Sequence, residues 1–318
     1  MKRLMMAAVA VAGLAVTGCG VDKGEPFRQG FPRSETVKLN LPENKTALTA
    51  EGTRRDGVEG QISEFYKLTR GVTVTVNAAG GAVLNLVEKI VEYPPTTVNG
   101  NVAVWGPHTD ALSPNTFKFT VTMTAQNQFD YLLEAKGKTE ADSAFRTILS
   151  GSHVSTGDKL GSGTFLLDWD RAQTLPEHDS NVGVASYTYS KQTAGADVSI
   201  DALFQKVKDG ETGQLVDVNY KYREVPANGG SFEFRMNKNW VTGPGVEVLT
   251  VKSRWQQGGA GRSDARATGG DLPGPATASE CWDNGFASRY LNASWATAQT
   301  GNYGAETACA FATAEYAP

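Results

Sequence analysis

Three cysteines and three histidines in 318 residues remove most metal chemistry at once. A structural zinc site needs four Cys or His ligands at close spacing. His108, His153 and His178 stand far apart with no HExxH pair, and they read as surface side chains. Nucleophilic catalysis is equally unsupported. There is no GxSxG, and Gly161-Ser162-Gly163 lacks the intervening positions and precedes a strand. The glycine-rich Gly258-Gly259-Ala260-Gly261 has no following Lys-Ser or Lys-Thr, so it is no phosphate cradle. Charge is also sparse: 20% of residues are ionic, with 34 acidic against 30 basic. That balance argues against nucleic acid as a partner and against broad electrostatic adhesion to anionic lipid. Beyond the N-terminus, no apolar run approaches the ~20 residues that span a bilayer, so the body is expected to be soluble.

What is present begins at the N-terminus. Met1-Lys2-Arg3 leads into an apolar run from Met5 to Val16, closed by Val16-Thr17-Gly18-Cys19. A basic start, a short apolar core and small residues before the cut have the form of a secretory signal peptide. The last four residues resemble the lipobox of bacterial lipoproteins, with Val16 where leucine is usual. The resemblance implies cleavage before Cys19, diacylation of its thiol and acylation, commonly by palmitate, of the new amino group. Gly20, where aspartate would signal inner-membrane retention, favours the outer membrane. Loss of residues 1–18 leaves 28 basic against 34 acidic side chains, a formal charge of −6. Membrane attachment then rests on the acyl chains, each buried CH₂ contributing ~0.8 kcal/mol.

With Cys19 committed to lipid, Cys281 and Cys309 remain as a pair in an oxidising compartment, where a disulfide is expected. A zinc site there would lack ligands, since no histidine lies beyond His178.

Residues 19–57 are polar, interrupted by Pro26, Pro32 and Pro42, and read as a flexible tether. Only Val37, Leu39 and Leu41 alternate, enough for one short edge strand. Residues 61–92 carry two apolar stripes at helical spacing, Ile62/Phe65/Tyr66/Leu68 and Val83/Leu84/Val87/Ile90/Val91, ended by Pro94-Pro95. Val72-Thr73-Val74-Thr75-Val76 between them is strand by propensity, and Gly80-Gly81 is a potential kink. One irregular helical unit is the preferred reading.

After Pro95 the period becomes two. Phe117/Phe119/Val121, Phe129/Tyr131/Leu133, Val198/Ile200/Ala202, Val216/Val218/Tyr220/Tyr222 and Phe232/Phe234/Met236 alternate with polar residues. Strands apolar on one face only are antiparallel. The expected fold is mainly β: an antiparallel β-meander of about ten strands, curled into a barrel or half-barrel and filled by the N-terminal helix, over residues 58–272. Helix-then-meander in an exported lipoprotein is similar in layout to the half-barrel lipoprotein carriers of the bacterial envelope. The run Gly269–Pro275 is expected to close the sheet. Residues 273–318 then form a disulfide-closed appendix, with Trp282, Phe286 and Tyr290 on one face of a short helix.

Two function classes follow. A non-enzymatic binding module would hold a lipid or apolar ligand in the sheet's concavity, lined by Phe117, Phe119, Tyr131, Tyr220, Tyr222, Phe232 and Phe234. A structural or interaction module of the envelope would have a solid core and meet a protein partner instead. No cofactor is implied. Asp168 and Asp170, with Glu177 and Asp179 nearby, are oxygen-rich enough to consider calcium, although the spacing matches no EF-hand.

Overall fold

A computed structural model describes residues 23–43, 59–210, 212–239, 243–294 and 301–316. Cys19 and the signal segment lie outside them. One long helix, α1 (Glu64–Val91), is followed by fourteen strands. These are β1 (Thr97–Asn99), β2 (Val102–His108), β3 (Asn115–Ala125), β4 (Gln128–Gly137), β5 (Arg146–Gly157), β6 (Leu160–Asp168) and β7 (Val184–Lys191). They continue as β8 (Val198–Lys208), β9 (Leu215–Val225), β10 (Gly229–Lys238), β11 (Glu247–Gln256), β12 (Gly261–Gly269), β13 (Ala276–Trp282) and β14 (Ser288–Ala293). A one-turn helix, α2 (Trp169–Ala172), follows β6.

Every strand pairs antiparallel with its sequence neighbour, in the order β1 to β14, and the sheet does not close. The curled, helix-filled meander read from the period-two runs is therefore the fold. It is wider than expected: twelve strands rather than about ten lie before Gly270, and two more, β13 and β14, extend past it. Gly269 and Gly270, both at positive φ, do not end the sheet; they turn β12 into β13. The expected C-terminal helix is also replaced. Trp282 ends β13, Phe286 sits in a turn and Tyr290 lies on β14. Asp283 makes that turn, its Oδ1 accepting from the Gly285 N–H at 2.8 Å, so the four-residue spacing of the aromatics reflects a hairpin.

α1 is a single helix through the Val-Thr repeat and both glycines. Thr69 and Thr73 return their hydroxyls to the carbonyls of Phe65 and Thr69, at 2.7 and 2.9 Å, so their polar groups are satisfied within the helix. Thr69, Thr73, Val76, Gly80, Leu84, Val87 and Val91 form one buried stripe at three- and four-residue spacing. Burial of that stripe outweighs the strand propensity of valine and threonine. Gly80 is no kink: a Cβ there would lie 3.3 Å from the Tyr187 hydroxyl, so its lack of a side chain admits the β7 tyrosine to the helix backbone. By length and composition α1 is sufficient to cross a membrane, its best 18-residue window averaging a hydropathy of 1.3. This revises the expectation from uninterrupted apolar runs, because Thr, Asn and Gly dilute the stretch without adding charge. In the fold the helix packs on the sheet.

The segment expected as a tether is part of the core where it is described. Phe27, Phe31, Val37 and Leu39 are buried with the main apolar cluster, and none belongs to a strand. The segment straps along α1 in the opposite direction. Arg28 Nε donates to the Val91 carbonyl at 2.8 Å, the Ser34 N–H to Glu88 Oε1 at 2.6 Å, the Leu39 N–H to Asn77 Oδ1 at 2.8 Å, and the Tyr66 hydroxyl to the Pro42 carbonyl at 2.9 Å. Four apolar anchors at irregular spacing carry no sustained periodic signal, yet all four join the one main core cluster.

His153 is buried as well, contrary to the surface reading. It is 3% exposed on β5, with Nδ1 2.8 Å from the Tyr189 hydroxyl. Burial, assisted by the Arg33 charge, lowers its pKa to about 4 and keeps it neutral.

The last strands are fixed from outside. Cys281 and Cys309 form the expected disulfide, with a Cα–Cα distance of 5.4 Å. The tail lies over β11 to β13: Arg262 donates to the Phe311 carbonyl, Arg254 to the Thr313 carbonyl, and Asp264 accepts from the Glu315 N–H. Glu280 on β13 reaches the start of α1, accepting from Ser63 Oγ and the Phe65 N–H, each at 2.8 Å. A carboxylate at a helix N-terminus is favourably placed against the helix dipole. Burial pushes the Glu280 carboxyl up, opposed by these hydrogen bonds.

Candidate functional site

The concavity of the sheet is filled unevenly. Toward β1 to β4 it is solid: Phe31 meets Phe119 edge-on at 5.5 Å and Tyr131 at 6.5 Å, and Trp105 lies against Phe119. Toward β8 to β10 a cleft of about 1390 Å³ opens between the N-terminal half of α1 and the sheet. This exceeds the roughly 300–1,000 Å³ of ordinary small-molecule pockets and leaves room for a chain molecule. Leu68, Val72 and Ala79 line the helix side; Phe204, Val207, Val218, Tyr220 and Met236 line the sheet side.

The strand geometry explains why a cleft forms here. The β8–β9 ladder shifts register between Phe204 and Val207, and Lys206 takes a left-handed φ of 55°. The Lys206 N–H turns to Asp217 Oδ1 at 2.8 Å. A bulge of this kind bends the strand and increases its twist. The bulge falls where β8 and β9 border the cleft, at Phe204, Val207 and Val218.

An aromatic shelf floors the cleft. Trp169 lies 5.9 Å from Phe204 and Phe204 meets Tyr220 edge-on at 5.2 Å, with Phe232 in the packed core behind Tyr220, their rings stacked at 6.1 Å. Burial, with Asp209 adding to it, raises the Tyr220 pKa to about 12, so the phenol stays neutral. The rim is ionic. Glu64 and Lys67 pair with each other, and Asp209 caps its own turn through the Thr212 N–H at 2.7 Å. Lys208 and Arg235 are exposed and make no ion pair among the described residues.

Of the residues expected to line a ligand cavity, Tyr220 alone borders the cleft. Phe119, Tyr131, Tyr222, Phe232 and Phe234 are packed core at 0–1% exposure, and Phe117 is half-buried on β3. Tyr222 spends its hydroxyl on the Asn40 carbonyl at 2.8 Å. Alternation placed all seven on the inner face, but it could not say which part of that face the helix and the N-terminal strap would cover. Val207, Met236 and Arg235 escaped notice. Met236 was already on the inward face of its run, whereas the β8 bulge that admits Val207 leaves no pattern in the chain.

The acidic pair near β6 is spent on structure. Asp168 caps α2 by accepting from the Arg171 N–H at 2.9 Å, and Asp170 accepts from the Gly183 N–H at 2.7 Å. Among the described residues no group of three His, Cys, Asp or Glu is placed to hold a metal ion. Likewise no Ser-His pair stands in hydrogen-bond contact among them: His153 meets Tyr189, and His178 the Asp179 backbone.

No protein-family model matches the chain, and no curated protein or solved structure is significantly similar to it.

Proposed function

We propose that this protein is a lipid-anchored lipoprotein of the bacterial cell envelope that holds a lipid or other apolar ligand, without catalysis, in the cleft between α1 and β8 to β10. The carrying observation is the apolar cleft itself, in a sheet that is packed solid toward β1 to β4. A concave, mostly apolar site with a few polar groups at its rim is the usual form of a small-molecule pocket. The basic start, short apolar run and Val16-Thr17-Gly18-Cys19 box support the anchor. Acylation at Cys19 would hold the body at a membrane, with the outer membrane favoured by Gly20 and the cleft free to receive its ligand.

Two measurements test this. Native mass spectrometry of protein purified without added lipid should find a co-purifying lipid-sized adduct that delipidation removes and an added fatty acid restores. A chain that neither retains nor takes up lipid would favour the alternative of a solid structural module. Cys19→Ser should prevent processing and abolish detergent extraction with the membrane fraction; unchanged partitioning would sink the anchor.

A further inference from the structure

The ladder between β9 and β10 stops early. It pairs Val225 with Gly229 and continues only to Tyr220 with Phe234. Beyond that point both strands go on, but each is bonded on its far side alone. Val218, Val216 and Leu215 pair with Phe204, Val207 and Lys208 on β8, while Arg235 to Lys238 pair with Thr250 to Glu247 on β11. Residues 215–219 and 235–238 therefore face each other across a seam that no ladder closes among the described residues. The β8 bulge sits beside this seam, where the β8–β9 ladder shifts register between Phe204 and Val207, and a bulge of that kind increases local twist.

A second cavity, of about 430 Å³, occupies this seam, lined by Leu215 to Val218 and Arg235 to Asn237. It shares Val216, Val218, Arg235 and Met236 with the large cleft. The two spaces thus meet through the wall of the sheet. Arg235 borders both, and Lys208 borders the cleft at the end of the adjoining strand. Around these cations, Glu64 is held by Lys67, Asp209 by its own turn and Asp217 by the Lys206 N–H.

We infer that the β9–β10 seam is the portal of the cleft and that the ligand is an anionic amphiphile. Its acyl chain lies under α1 on the aromatic shelf, and its carboxylate or phosphate head rests at the seam beside Arg235 and Lys208. The physical reason is matched polarity. The interior offers apolar surface and a neutral phenol, while Lys208 and Arg235, in no ion pair among the described residues, sit where a head group would remain hydrated. Open strand edges add N–H donors at the same place. This inference rests on the reading of the cleft as a lipid site.

The test uses the delipidated full-length protein with cis-parinaric acid, a fluorescent fatty acid, and its methyl ester. The acid should bind about tenfold tighter than the ester, the equivalent of ~1.4 kcal/mol. The double variant Lys208→Gln, Arg235→Gln should remove that advantage and leave ester binding unchanged. Hydrogen exchange should show residues 215–219 and 235–238 exchanging rapidly in the free protein and slowing when the acid is bound. Equal affinity for acid and ester, or an undiminished advantage in the double variant, would overturn the head-group assignment while leaving the apolar cleft standing. Acid binding without protection at the seam would overturn the portal. Failure of both probes to bind would instead overturn the reading of the cleft itself.

Discussion

At the β12–β14 end of the sheet, Arg262, Asp264 and Glu280 are 0–2% exposed, yet each finds partners. Arg262 pairs with Asp264 at 2.8 Å and with Glu306 of the tail at 2.8 Å, and Ser279 donates to Asp264 at 2.6 Å. At β8 to β10 the arrangement is reversed: apolar walls surround open space, and Lys208 and Arg235 make no ion pair among the described residues. Both regions belong to one sheet of fourteen similar antiparallel strands. What separates them is what covers them. The disulfide-held tail and the head of α1 seal one end, while a bulge and an incomplete ladder keep the other apart. Burying charge demands complete pairing; an open apolar cleft demands only that neighbouring strands not collapse onto it.

The sharpest way to break this comparison is Asp264→Ala. It would leave Arg262 buried with one of its two carboxylates gone, and such losses cost ~3–5 kcal/mol. Urea denaturation should show a large drop in midpoint with an unchanged slope. A loss below ~1 kcal/mol would mean that water already reaches the closed end. Next in size is removal of the disulfide by Cys281→Ser with Cys309→Ser. Releasing a 28-residue separation should cost about 3.5 kcal/mol on the chain-entropy account. Limited proteolysis should then cut the tail first, and a protected tail would show that its hydrogen bonds suffice without the bridge.

His153 supplies a third probe, away from both ends. Its folded pKa of about 4 lies below the ordinary 6.5, so the unfolded chain binds its proton first as pH falls. The stability it contributes is whole above pH 6.5 and is lost between 6.5 and about 4, by at most ~3 kcal/mol. Glu280, held above its ordinary value, acts in the opposite sense, destabilising as pH rises past the unfolded carboxyl range. The informative quantity is therefore the difference between wild type and His153→Phe across that window; a constant difference would refute a neutral buried imidazole. The smallest effect belongs to the open end. Val218→Ala removes two methyl groups that border existing space, and it should cost under ~1 kcal/mol, whereas Leu249→Ala in packed core should cost ~2–5 kcal/mol. Equal losses in thermal denaturation would mean that the cleft is filled.

Legibility divides along the same line. The strands of the meander were readable because one face is dry and the other wet, which writes a period of two into Phe117 to Val121 and Phe232 to Met236. The helix was readable at Val83 to Val91 for the corresponding reason at 3.6 residues. Glu88 shows the limit of such reading. Its place between apolar positions marks it as solvent-facing, but its carboxylate receives the Ser34 N–H. The seam and the cations beside it left no pattern, because a ladder that ends early removes hydrogen bonds and not residue types.

By itself, then, the chain determined its fold class, its antiparallel order and its disulfide, along with the expectation of an anchor at Cys19. Each rests on local chemistry: alternation, helical spacing, turn residues and the count of cysteines. Tertiary structure alone decided that residues 23–43 strap α1, that the sheet runs past Gly269 to β14, and that of seven inward aromatics only Tyr220 meets open space. Those outcomes depend on which distant surfaces meet. Solvent exposure shapes every residue and so marks the sequence, whereas the gap left between two packed elements is shaped by all of them together and marks none.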